Sequence, residues 1–155
     1  LPLLPPGTAA NLGVLSANNE LAEELGWPEL VDQIAAAYKD LPDEQRADAR
    51  VMTRTYGEAA AVELLGPERG IPAGTTLCGH NSYVDWWPDD QPAGAVISIR
   101  VDATMLAEFF EQCDRVDHVR NKLGVKNQVA GAPILVCRGL KASPQGLRAA
   151  VRFTR

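Results

Sequence analysis

Short β-favouring runs alternate along this chain with stretches of helical spacing, and that alternation constrains the fold more than any other feature. Arg50 to Thr55, Thr75 to Cys78, Ala95 to Val101 and Pro133 to Cys137 are brief, apolar and bounded by turn residues, the pattern of buried strands. Ala95 to Val101 is the cleanest, since Val96, Ile97, Ile99 and Val101 all favour extended backbone. Trp27-Pro28-Glu29 opens a helix with Pro in its first turn, and Leu30, Val31, Ile34, Ala35 and Tyr38 continue it at helical spacing towards Leu41-Pro42. Gly57 to Leu65 predicts a second helix, stopped by Gly66-Pro67. Asp102 caps a helix predicted over Ala103 to Cys113, and Pro144 to Arg152 predicts a closing one. Arg115 to Arg120 alternates polar and apolar residues and reads as an edge strand. This order predicts an α/β chain: a three-layer sandwich with a mostly parallel central sheet and helices on both faces, Rossmann-like in architecture.

The 155 residues correspond to one domain, with residues 1–18 an irregular, Pro-rich lead-in or linker and 19–155 the folded unit. Net charge is −5 and no basic run follows a phosphate backbone, so nucleic acid is not an expected partner. No stretch approaches the roughly 20 apolar residues that span a bilayer, and Leu1 to Pro6 lacks the basic and apolar regions of a secretory leader. Cys78, Cys113 and Cys137 show no metal-ligand spacing. They read either as buried thiols or, in an extracytoplasmic domain, as one bridge and one free thiol. No cofactor is predicted.

The residues with chemical potential lie where the predicted strands end. Tyr56-Gly57-Glu58 follows the first strand and opens a helix, where Gly57 admits a close ligand and the helix N-terminus favours an anion. Glu58 also suits a purely structural role, complementing the helix dipole. Gly79-His80-Asn81 follows the second strand and contributes one of only two histidines, suited to proton transfer or to hydrogen bonding. A carboxylate at His80, with Glu58 the nearest motif partner, makes an acid–base pair. Tyr83, Trp86 and Trp87 with Asp85, Asp89 and Asp90 form an aromatic and acidic loop, suited to sugar or peptide recognition or simply pinned by its Trp residues. The spacing of those aspartates does not match an EF-hand. Cys137-Arg138-Gly139 follows the last strong strand, where Arg138 suits a carboxylate or phosphate clamp or a surface ion pair. If these strand ends point the same way, Tyr56, Gly57, Glu58, His80, Asn81 and Arg138 line one cleft.

The ordered set of motifs is similar to a known family. Asn19-Glu20 with Glu24, Gly26, Trp27 and Pro28, then Tyr56-Gly57-Glu58-Ala59, Gly79-His80-Asn81-Ser82-Tyr83 and Cys137-Arg138-Gly139, resembles the soluble C-terminal region of bacterial dolichyl-phosphate-mannose protein mannosyltransferase-like membrane glycosyltransferases, of the GT-C type. The resemblance runs from about Asn19 to Arg138. It departs at Thr55, where Asn is expected, at Cys78, where Ser is expected, and in a tail from Ser143 without a Trp-containing stretch.

The resemblance implies an extracytoplasmic domain, anchored through upstream transmembrane segments of the same polypeptide, whose catalytic carboxylate lies in the membrane part. Its implied partners are that membrane part and a polyprenyl-phosphate sugar or an acceptor, and no catalytic residue is carried over to this chain. The leading expectation is therefore an accessory domain that binds or positions acceptor or lipid-linked sugar and is not catalytic alone. The alternatives are a small-molecule hydrolase using Glu58 and His80, or a structural docking module with an exposed apolar patch.

Overall fold

A computed structural model describes residues 22, 25–88, 94–122, 124 and 126–154. Helix α1 spans Trp27–Lys39 and short α2 Asp43–Arg46; β1 is Arg50–Thr53 and α3 Tyr56–Leu65. A 3₁₀ turn at Pro67–Arg69 leads to β2, Thr76–Cys78, and a second 3₁₀ segment covers Asn81–Trp86. Strand β3 is Val96–Ile99, α4 Ala103–Phe109, β4 Phe110–His118, β5 Pro133–Leu140 and α5 Pro144–Val151.

The chain is α/β, with the strands in one sheet ordered β2-β1-β3-β5-β4. The sheet is mixed, and this corrects the mostly parallel expectation. β1 pairs parallel with β2 and β3, but β5 pairs antiparallel with both β3 and β4. The cause is local: β4 and β5 form a hairpin through residues 119–132, so β5 returns against β4 and inserts beside β3. β4, which contains most of the predicted edge strand, is indeed at an edge.

The alternation of side chains across the sheet divides the core in two. Val51, Ile97, Ile99, Ile134 and Val136 pack with Leu30, Val31 and Ile34 of α1 and Ala61 and Val62 of α3. Met52, Val96, Leu135 and Cys137 pack with Val84, Trp87, Leu106 of α4 and Leu147 of α5. α1 starts as predicted, with Gly26 in the left-handed region before Trp27 and Pro28 in its first turn. Asp102 and Ser143 cap α4 and α5 through the amides of Met105 and Gly146.

The predicted helix to Cys113 ends at Phe109, because Phe110 to His118 pairs with β5. Cys113 faces Cys137 across that pair and the two form a disulfide, while Cys78 is a buried free thiol. Of the two cysteine readings, one bridge with one thiol is the one found. No helix among the described residues is long and apolar enough to cross a membrane. The predicted lead-in, Asn19-Glu20, Glu24, Asp89 and Asp90 lie outside the described residues.

Candidate functional site

The parallel strands β1, β2 and β3 end together, and two of the three polar clusters lie there. Glu58 is 2% exposed and its carboxylate is fully engaged. Oε2 accepts hydrogen bonds from the backbone amides of Arg54 and Thr55, both at 3.0 Å, and Oε1 pairs with the Arg100 guanidinium. With the Thr55 side chain this makes a capping box that starts α3. Arg100 also donates to Gln128, at 2.7 Å, from a backbone with φ of 60°. The sequence motif Thr55-Tyr-Gly-Glu58 is the capping-box spacing, so Glu58's structural role was legible. Arg100 was not, because its partner is 42 residues away.

Gly57 packs beside the Trp27 indole: a Cβ built on it would lie 3.4 Å from that ring, in van der Waals contact. His80 is buried in a stack: its ring lies 4.7 Å from that of Phe153 and 4.8 Å from that of Tyr56, which is itself 57% exposed. The guanidinium of Arg54 covers Phe153 at 4.9 Å. Phe153 is held by backbone pairing, its amide donating to Gly79 and its carbonyl accepting from Asn81. Residues 152–154 thus form a strap across the end of β2. Gly79 is needed for it, since a Cβ there falls 1.9 Å from the Val151 carbonyl oxygen. Asn81 takes a left-handed backbone at φ 52°, which Asn tolerates better than most residues.

Arg138 does not join this group. Because β5 opposes β3, Cys137 sits beside Val96 at the start of β3, and Arg138 is at the opposite end of the sheet. There it donates to Gln45 at 2.9 Å and to Asp114 at 3.1 Å, an ion pair at the surface. The single cleft inferred from three strand ends therefore contracts to two.

The aromatic loop is pinned through Trp87, whose indole N–H donates to the Cys78 carbonyl at 2.8 Å. Trp86 stays 76% exposed beside Tyr83, ring centroids 5.5 Å apart. Asp85 pairs with Arg152 and, at 3.7 Å, with Arg148. Burial pushes the Cys78 thiol above its usual value, which disfavours the nucleophilic thiolate. Among the described residues no group of three metal-ligating side chains converges.

A cavity of about 170 Å³ lies at the same sheet end, lined by Thr53, Arg54, Gly79, Val101, Asp102, Met105 and residues 150–153. Of these, sequence reasoning placed only Gly79 in a candidate site motif and read Val101 and Asp102 as strand and helix-cap residues; the tail that walls the cavity, residues 150–153, is far away in the sequence. No family model matches the chain, and no curated protein or solved structure does either.

Proposed function

We propose that this chain is an extracytoplasmic accessory domain of a multi-spanning membrane glycosyltransferase, which binds or positions acceptor or lipid-linked sugar and does no chemistry alone. The observation that carries this reading is the commitment of Glu58. Both carboxylate oxygens hold the fold together, one on two backbone amides and the other on Arg100. A general acid or base needs a free oxygen within reach of a substrate proton. His80, stacked on Phe153 and packed at a tilt against Tyr56, is likewise part of the scaffold. The hydrolase alternative therefore loses its pair.

The family resemblance supplies the enzyme class, and the bridge between Cys113 and Cys137 supports the compartment, because disulfides persist where the surroundings are oxidising. The two core clusters on alternate side-chain rows of the sheet support a three-layer, Rossmann-like architecture. Exposed Tyr56 and Trp86 at the carboxyl end of the parallel strands support the reading that this end faces ligand or the membrane part.

The test is a transfer assay with the purified 155-residue chain, a polyprenyl-phosphate-linked sugar and peptide or lipid acceptors. No transfer is expected from the chain alone. Turnover by it, lost on Glu58→Gln under conditions where the variant remains folded, would establish the hydrolase or transferase chemistry that this reading denies.

A further inference from the structure

The strand order contains a reversal. From β1 the chain moves outward to β2, then returns past β1 to β3. In open α/β sheets such a reversal opens a crevice at the carboxyl ends of the two strands that flank it, because their connections leave in opposite directions. Here those strands are β1 and β3, and the 170 Å³ cavity lies between Thr53 and Arg54 on one side and Val101 and Asp102 on the other.

We propose that this crevice binds a small phosphate-bearing ligand with hydroxyl groups, a sugar phosphate in size and chemistry. It takes the phosphate on Arg54. Two other guanidiniums at this end of the sheet are already engaged, Arg100 on Glu58 and Arg152 on Asp85. Among the described residues no carboxylate pairs with Arg54, which is exposed and lies over the Phe153 ring. The ring restrains the guanidinium plane before an anion arrives, which reduces the ordering cost of binding.

Asp102 serves the hydroxyl groups. Its Oδ1 accepts the Met105 amide at 2.9 Å as the cap of α4, and its second oxygen is the acceptor for a ligand hydroxyl. The same carboxylate disfavours a densely charged ligand, so a single phosphate fits better than a di- or triphosphate. Val101, Met105 and the edge of Phe153 offer apolar wall to the C–H groups of a ring. Volume sets the size: at about 30 Å³ for each water, the space holds several waters, well short of the roughly 300 Å³ where drug-sized pockets begin. One ring fits and a dinucleotide does not. The inference rests on the accessory-domain reading only for the source of the ligand, soluble or lipid-linked.

The experiment is an amide NMR titration of the chain with glucose 1-phosphate and, separately, with a short-chain prenyl-phosphate glucose in micelles. Saturable shifts at Arg54, Val101, Asp102 and Phe153 are expected with at least one probe. Arg54→Gln should weaken that binding at least tenfold, and Met105→Trp, which fills the crevice, should remove it. Spectral dispersion reports that both variants remain folded. No saturable shift with either probe, or undiminished affinity in Arg54→Gln, overturns the site. Binding of the soluble ester alone keeps the site but removes the donor-binding role proposed above; binding of the lipid-linked probe supports both.

Discussion

Replacing Glu58 by Ala separates a scaffold role from a catalytic one. The carboxylate is 2% exposed and the Arg100 side chain 13% exposed, so both charges are largely out of water. Removing one member of a buried pair costs about 3–5 kcal/mol, because the other is left uncompensated. The amides of Arg54 and Thr55 also lose their acceptor, and loss of a helix cap adds about 1 kcal/mol. Arg100 is near enough to the surface to regain some hydration, which brings the sum to about 3–4 kcal/mol. With a urea slope of about 2 kcal/mol per M, the unfolding midpoint falls by about 1.5–2 M. That is a large part of the roughly 5–15 kcal/mol that holds a domain folded. Glu58→Gln keeps one oxygen for the two amides but sets an NH2 donor against the Arg100 guanidinium, so it loses the charge and that hydrogen bond and should cost about 1 kcal/mol less than Ala. A double-mutant cycle with Arg100→Gln should return a coupling of about 1–3 kcal/mol. A midpoint shift below about 0.5 M for Glu58→Ala, with the slope unchanged, would refute the buried-pair argument.

Three further outcomes are expected. Cys113→Ser with Cys137→Ser opens a loop of sequence separation 24, and the chain-entropy relation gives a loss of about 3.5 kcal/mol, measured by urea unfolding against the oxidised protein. Gly79→Ala puts a Cβ against the Val151 carbonyl, so hydrogen exchange at the Phe153 and Asn81 amides should accelerate more than at Val51 or Ile97 in the sheet centre; uniform acceleration would count against a local strap. Hydrogen bonds from Arg120, then from the His118 amide, hold the Asp117 carboxyl below the usual carboxylate range. Its stabilisation is thus present above the unfolded-state value and lost as pH falls through the lowered folded one. The site is exposed, so the effect is small and should fade in high salt, readable as the Asp117 side-chain titration with and without Arg120→Ala.

Much of the fold was legible in local pattern. Four buried strands, the cap at Asp102 and the Gly66-Pro67 stop all follow from propensity and spacing within a few residues. The capping role of Glu58 was equally local, since Thr55 and Glu58 are three apart. Phe109 and Phe110 mark where this kind of reasoning ends. Met105, Leu106, Phe109 and Phe110 suit a helix, yet the chain becomes a strand at Phe110 because Leu140 and Cys137 lie opposite in β5.

By itself the sequence determined most element types, though not the switch from helix to strand at Phe110, together with the polar composition of the strand ends, because each depends on residues within a turn or two of one another. Only the tertiary structure decided strand direction. The reversal of β5 sends Arg138 to the far end of the sheet and joins Cys113 to Cys137, while the parallel pairing of β1 with β3 brings Arg54 and Asp102 to one crevice walled by a tail from far along the chain. Those outcomes depend on which distant backbone edges pair. Pairing is chosen by the burial of whole faces, Val51 with Ile97 and Val136 on one side and Met52 with Leu135 on the other, rather than by any single residue.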